Sequence, residues 1–133
     1  MKIITIYGSK VSGKTNVVRN IHQKICRMSD AKLIGYKTCG SDNCDFDSIF
    51  DLKGKVIVIR SLGDCISYVR DGLTFAKAQN ADVFINVWNT ELDEKYNIKT
   101  ELPNAEVIKN PVQVCSPLRS QLIDFANIIA SKL

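Results

Sequence analysis

A glycine-rich segment between an apolar run and a helical pattern is the feature that most restricts how this chain can fold. Residues 3–7 are mostly apolar and rich in β-branched side chains, and Gly8 ends the run, which predicts a buried strand followed by a tight turn. After Gly13, apolar residues recur at helical spacing, namely Val17, Val18, Ile21, Ile25 and Met28. The chain is therefore predicted to begin with a strand, a glycine loop and a helix.

The rest of the chain alternates between predicted strands and helices. Further strands are predicted at residues 32–38, 55–59, 82–88 and 106–109, and further helices at residues 66–80 and after Ser116 and Pro117. The run at residues 55–59 is apolar on both faces, as expected for a strand between two helical layers. We expect the strand at residues 32–38 to pair parallel through a right-handed crossover. Residues 39–54 are predicted to form a polar, acidic loop with one helical turn.

This alternation predicts the α/β fold class. The expected architecture is a three-layer α/β/α domain over residues 1–133, with a mostly parallel five-stranded sheet. A length of 133 residues suits one compact domain, and a hydrophobic content of 45% is enough to build its core.

Composition excludes several classes of protein. The longest apolar run is too short to span a bilayer, so we expect no membrane segment. The five cysteines lack C-x-x-C spacing, and the chain has only one histidine that could join them in a metal site. This pattern favours a reduced, cytoplasmic protein. Cys39 and Cys44 leave a redox or metal role open as a minor alternative. The formal net charge is +4 with the lysines spread along the chain, which suits small anionic ligands better than nucleic acid.

The glycine segment carries residue types suited to binding a phosphate. Gly8 and Gly13 permit close approach of the backbone, and the amide groups of a loop that opens a helix attract an anion. Lys14 would place a cation on the β and γ oxygens of a nucleotide, and Thr15 would offer its hydroxyl to Mg²⁺. The alternative is a glycine-rich turn that only caps a helix, with Lys14 solvated.

With its motif between a predicted strand and a predicted helix, the chain resembles the P-loop NTPase superfamily. The resemblance is strong over the motif and the first β-α-β unit, and elsewhere it extends only to the order of strands and helices. It implies a P-loop fold, binding of ATP or GTP with Mg²⁺, and phosphoryl transfer. The motif residues expected to bind the nucleotide are Gly8, Ser9, Lys10, Val11, Ser12, Gly13, Lys14 and Thr15.

Departures from the family narrow this expectation. GTPases read guanine with Asn-Lys-x-Asp, whereas this chain has Asn86-Val87-Trp88-Asn89, so ATP is preferred. The strand at residues 55–59 lacks the carboxylate pair of motor-type ATPases. The chain is therefore more similar to small nucleoside and nucleotide kinases, which close an arginine-containing lid over the phosphates. Residues 89–104 could be such a mobile segment, but they contain no arginine.

Catalytic and metal roles are assigned to a few further residues. Lys14 and Arg60 are the catalytic candidates, Arg60 because it leaves the carboxyl end of a central strand. Thr15 and Asp64 are the metal candidates, although Asp64 also suits a helix N-cap. Other candidates, each with solvent exposure or core packing as the simpler interpretation, are Arg70, Arg119, Asp42, Asp45, Asp47 and Trp88.

Three candidate functions follow from these observations. The first is binding of a nucleoside triphosphate with Mg²⁺, with phosphoryl transfer to a small-molecule acceptor or slow hydrolysis. The second is a nucleotide-responsive module without useful turnover, which acts through a protein partner or a homo-oligomer. A nucleic-acid-dependent activity rests only on the basic charge and is the weakest of the three.

Overall fold

The computed structural model describes residues 1–9, 14–40, 44–110 and 119–133. Its strands are β1 (Lys2–Gly8), β2 (Ala31–Cys39), β3 (Asp45–Leu52), β4 (Lys55–Arg60), β5 (Val83–Asn89) and β6 (Glu106–Lys109). Its helices are α1 (Lys14–Cys26), α2 (Ile66–Ala78), the 3₁₀ helix (Thr90–Glu94), α3 (Ile98–Glu101) and α4 (Arg119–Ala130). The predicted α/β class is confirmed.

The strands form one mixed sheet in the order β2-β3-β4-β5-β1-β6. The pairs β4–β5, β5–β1 and β1–β6 are parallel, whereas β2 and β3 pair antiparallel at one edge. All seven residues of β5 are buried, because helices cover both of its faces. The sheet therefore has six described strands, and the expected number of five is wrong.

The sixth strand is β3, which occupies residues predicted to be a loop. Its apolar residues alternate with aspartates, and Phe46, Phe50 and Leu52 face the core. The four aspartates between residues 42 and 51 made the segment resemble a solvated loop. Alternation with a period of two was the stronger signal, because it places one face of the strand in the core.

The predicted parallel pairing of the second strand is also wrong. β2 lies at the sheet edge, antiparallel to β3, and does not pair with β1. β3 then returns into β4 through a two-residue turn at Lys53 and Gly54, whose φ angles are 53° and 84°. Positive φ at both central positions is typical of a tight hairpin turn. β2, β3 and β4 therefore form an antiparallel meander at one edge of the sheet.

Helices cover both faces of the sheet. The side chains Ile4 and Ile6 of β1 pack against α1 and α4, while Val58 and Phe84 on the other face pack against α2. On that second face, Trp88 is completely buried against residues 92–105, which confirms its core interpretation. Residues 89–104 contain the 3₁₀ helix and α3. Among the described helices, none is long and apolar enough to cross a membrane.

Gly63 marks a close approach between the loop after β4 and strand β5. A Cβ at this position would lie 2.6 Å from the Val87 carbonyl oxygen, and backbone cannot yield as a side chain can. We expect Gly63→Ala to lower the free energy of unfolding by about 1–3 kcal/mol. Gly35→Ala is the control, since its Cβ would meet the Ile49 side chain, whose nearest atom is the terminal Cδ1 at 3.2 Å. Urea unfolding midpoints that fall equally for both variants would contradict this expectation.

Candidate functional site

The carboxyl ends of the parallel strands and the start of β3 meet at one edge of the sheet. Gly8 ends β1, Ser9 follows it, and α1 begins at Lys14. Lys10, Val11, Ser12 and Gly13 lie outside the described residues. The strand and helix predicted to flank the motif are therefore both present, and ligands of open α/β sheets bind at this edge.

Lys14 is held inside this edge. The residue is 7% exposed, and its Nζ donates a hydrogen bond to the Ser9 carbonyl oxygen at 2.5 Å. Burial lowers the pKa of Lys14, while the carboxylates of Asp64 and Glu91 act in the opposite direction. The alternative of a helix-capping turn with a solvated lysine does not fit this buried ammonium group.

Thr15 meets a carboxylate from the antiparallel hairpin. Its hydroxyl donates to the Asp45 Oδ1 at 3.3 Å, and the Ser61 hydroxyl donates to the same oxygen at 2.9 Å. Ser61 is fixed in turn, because the Phe46 N–H donates to its Oγ at 2.9 Å. Side-chain oxygens from α1, β3 and the residue after β4 thus converge, and oxygen atoms are the metal ligands that Mg²⁺ prefers.

The donor set has only one carboxylate. Within the described part of the chain, no three histidine, cysteine, aspartate or glutamate residues are grouped so that they could hold a metal ion. A single carboxylate with hydroxyls still fits Mg²⁺, which usually keeps several waters and binds substrate phosphates as well. Asp45 was only an alternative candidate from the sequence, and Ser61 was not singled out. The signal for Ser61 was its place directly after β4, where this edge begins.

Asp64 lies on the Lys14 side of the site. It is exposed, and its carboxylate is close enough to act on the Lys14 ammonium group. The alternative prediction, that Asp64 is a helix N-cap, is wrong. The N-cap of α2 is the next residue, Cys65, which makes no side-chain capping bond. The metal role of Asp64 stays a prediction.

Arg60 is enclosed in ion pairs on the α2 side of the sheet. Its Nε and Nη2 atoms donate to the Asp47 carboxylate at 2.7 and 2.8 Å, and Nη1 donates to Asp71 at 2.7 Å. Burial opposes the charge, but the hydrogen bonds to Asp47 and Asp71 outweigh it and raise the pKa of Arg60. Its guanidinium also lies over the Phe75 ring. The catalytic role of Arg60 stays a prediction, and this geometry favours a structural role.

The remaining arginine and aspartate candidates are dispersed. Arg70 forms a bidentate ion pair with Glu101, with Nε and Nη2 distances of 3.0 and 2.6 Å. Arg119 is exposed at the start of α4. Asp47 is bound to Arg60, and Asp42 lies outside the described residues. None of these placements brings a second cation to Lys14.

The 3₁₀ helix forms a further wall of the site. Asn89 caps it, because its Oδ1 accepts a hydrogen bond from the Glu91 N–H. The Asp93 carboxylate accepts hydrogen bonds from the Tyr7 hydroxyl and from the Trp88 Nε1, the latter at 2.9 Å. The Asp93 hydrogen bond also raises the pKa of Tyr7. Glu91 is thereby positioned beside the motif, although nothing in the sequence singled it out.

Comparison with known proteins does not extend this description. No protein-family model, curated protein sequence or solved structure matches the chain.

Proposed function

We propose that this protein binds a nucleoside triphosphate with Mg²⁺ at residues 8–15, and that ATP is the preferred nucleotide. The observation that carries the proposal is the convergence of the Thr15 and Ser61 hydroxyls on the Asp45 carboxylate, beside the buried Lys14. A structural turn needs neither a desolvated ammonium group nor a set of oxygen donors that suits a hard cation. P-loop nucleotide binding accounts for both.

Each of these residues has a separate task in the proposed site. On nucleotide binding, the Lys14 ammonium group exchanges the Ser9 carbonyl for the β and γ phosphate oxygens. Its attraction to these oxygens is stronger than in water, because the site is partly shielded from solvent. Thr15, Asp45 and Ser61 would hold Mg²⁺, and the bound ion would supply positive charge that neutralises the phosphates. Asp45 supplies the acid that β4 lacks. The α1 N-terminus adds backbone donors for the phosphate.

We propose phosphoryl transfer to a small acceptor, or slow hydrolysis, as the reaction. The proposal is supported by Asp64 and Glu91, two exposed carboxylates on the Lys14 side that are available to accept a proton. The alternative is a nucleotide-responsive module that acts through a protein partner or a second copy. It is supported by the exposed apolar side chains of Leu33, Ile34 and Tyr36 on the edge strand β2.

Replacing single carboxylates tests the site. Asp45→Asn is expected to remove most of the Mg²⁺-dependent part of ATP binding, because an amide lacks the charge that a hard cation prefers. Isothermal calorimetry with ATP and with GTP, each with and without Mg²⁺, measures the effect. Asp64→Asn is the matched variant on the other side of the site, and retention of full Mg²⁺ dependence there would end the metal role of Asp64.

The outcomes separate the functions. Wild-type protein that binds neither ATP nor GTP overturns the proposed function. Binding without any labelled product above the Lys14→Ala background, across nucleosides, sugars and amino alcohols, supports the module instead of the kinase. If Asp45→Asn leaves the Mg²⁺ dependence unchanged, the proposed oxygen-donor set is wrong.

A further inference from the structure

We propose that the cleft between the 3₁₀ helix and the start of α2 is the acceptor site, and that it takes an uncharged or cationic hydroxyl or amine compound, not a phosphorylated one. The inference rests on the proposed function and deepens it by naming the class of acceptor. It is carried by a cavity, by its position against Lys14 and by the chemistry of its walls.

The cleft is large enough for a small molecule. Its volume is about 330 Å³, at the lower end of the range for ligand pockets. One side is apolar, formed by Ile66, Leu92 and Tyr96, which also pack against the buried Trp88 cluster. Glu91 and Asp64 line it as well. The lining is thus about equally apolar and polar, so one side suits the body of a small ligand and the other suits a polar reactive group.

The cleft adjoins the phosphate end of the proposed nucleotide site. Asp64 and Glu91 line the cleft, and Glu91 follows Asn89, which pairs with Gly8 at the end of β1. The charges of both carboxylates also act on the Lys14 ammonium group. A group bound between them therefore lies next to the residue that binds the γ phosphate in the proposed function. Such proximity is the first requirement for transfer between two bound substrates.

The walls of the cleft are built before any ligand binds. The 3₁₀ helix is capped by Asn89 and tied through Asp93 to the ends of β1 and β5. Tyr96 is held at the other end, because its N–H donates to the Leu92 carbonyl oxygen at 2.9 Å and the Arg70 guanidinium lies over its ring. A preorganised cleft loses little entropy when a ligand binds.

The charge of the lining selects the acceptor. Asp64, Glu91 and Glu94 contribute three carboxylates to the cleft, and Lys95 is the single cation in its lining. A phosphate ester needs a cluster of arginine or lysine donors, and here it would meet repulsion from like charges. Hydroxyl and ammonium groups instead donate hydrogen bonds to carboxylates. Nucleoside monophosphates, the acceptors of nucleotide kinases, are therefore excluded by this cleft.

The chemical step is a simple displacement. The acceptor oxygen or nitrogen forms a bond to the γ phosphorus, and the bond from that phosphorus to the β–γ bridging oxygen breaks. The bonding electrons leave with the nucleoside diphosphate. The acceptor reacts as a hydroxyl or as a free-base amine, and its proton passes to Asp64 or Glu91 as the new bond forms. The bridging oxygen or nitrogen is then uncharged, and the product is an anionic phosphate monoester or phosphoramidate that needs no further reactant.

Matched pairs of probe compounds test the class of acceptor. Thymidine, choline and glucosamine are each compared with their monophosphate esters by calorimetry, on the 133-residue chain saturated with Mg·ADP. At least one unphosphorylated probe is expected to bind about tenfold or more tightly than its ester. In the double variant Glu91→Gln, Glu94→Gln this preference is expected to fall by a similar factor. Asp124→Asn, an exposed aspartate on α4, is the control.

The readouts separate failure of this inference from failure of the proposed function. Mg·ADP and Mg·ATP binding to the wild-type protein is measured first, and its absence overturns both. If nucleotide binds but no unphosphorylated probe does, or if the esters bind equally well, the acceptor site is overturned and nucleotide binding stands. An unchanged preference in the double variant, with nucleotide affinity retained, also overturns the assignment of this cleft.

Discussion

Lys14→Met is expected to weaken Mg·ATP binding by about 30-fold or more, because it removes a buried cation from opposite the β and γ phosphates. Methionine keeps the apolar stem of the side chain, so the buried position stays filled. Calorimetric titration with Mg·ATP gives the affinity. Lys24→Met, in the last turn of the same helix, is the control and should bind with wild-type affinity. Equal affinities for wild type and Lys14→Met would remove the central claim.

The same variant has a second expected effect, on the stability of the free protein. Burial lowers the pKa of Lys14 from its ordinary value of 10.5, so the unfolded chain holds this proton more tightly than the folded one. The wild-type free energy of unfolding therefore gains a contribution as the pH rises through the lowered pKa towards 10.5. Lys14→Met lacks this gain. Urea unfolding across that pH window measures it, and parallel pH profiles would contradict it.

The second large effect is expected at the buried ion pair of Arg60 and Asp47. Their side chains are 9% and 10% exposed, so removing one partner leaves the other charge buried without compensation. We expect Arg60→Met to lower the free energy of unfolding by about 3–5 kcal/mol. Adding Asp47→Leu to Arg60→Met removes the unpaired carboxylate, so this double variant is expected to recover much of the lost stability. Urea unfolding at neutral pH measures all three proteins.

An exposed pair provides the control for this prediction. Lys53 and Asp30 lie 3.5 Å apart with 70% and 58% of their side chains exposed, so Asp30→Ala should change stability by at most about 1 kcal/mol. A loss below that size for Arg60→Met would show that the network with Asp47 does not stabilise the fold. Nucleotide affinity of the folded variant is a separate readout. If it falls sharply while the double variant is stable, Arg60 acts on the ligand after all.

The sequence predicted the part of the fold that depends on local apolar pattern. Apolar runs and spacings within single segments predict strands β1, β2, β4, β5 and β6 and helices α1, α2 and α4. Strand β3 was predicted as a loop because aspartates dominate its composition. One of them, Asp47, is buried because Arg60 on the neighbouring strand neutralises its charge. A partner thirteen residues away is invisible to a local pattern.

The candidate site likewise contains some residues that the sequence predicts and others that only the tertiary structure brings in. Lys14 and Thr15 could be found because the motif places them at fixed spacing after Gly8 and Gly13. Asp45 could not be preferred over its neighbours, since only the pairing of β3 with β4 brings it to Thr15 and Ser61. Glu91 depends on the capping of a 3₁₀ helix in a segment with weak periodicity. These contacts arise from tertiary structure, and no single stretch of residues encodes them.

The two-residue turn at Lys53 and Gly54 has a consequence for the far end of its hairpin. In antiparallel strands, the length of the turn sets the alignment of every later pair, and a slip of one residue exchanges inward and outward side chains. Such a slip between β3 and β4 would offer Phe46 or Cys44 in place of Asp45 to the oxygen donors at the opposite edge. The length of a distant surface turn thus determines which residue supplies the acid in the proposed magnesium site. An insertion in that turn would weaken metal binding without changing any metal-binding residue.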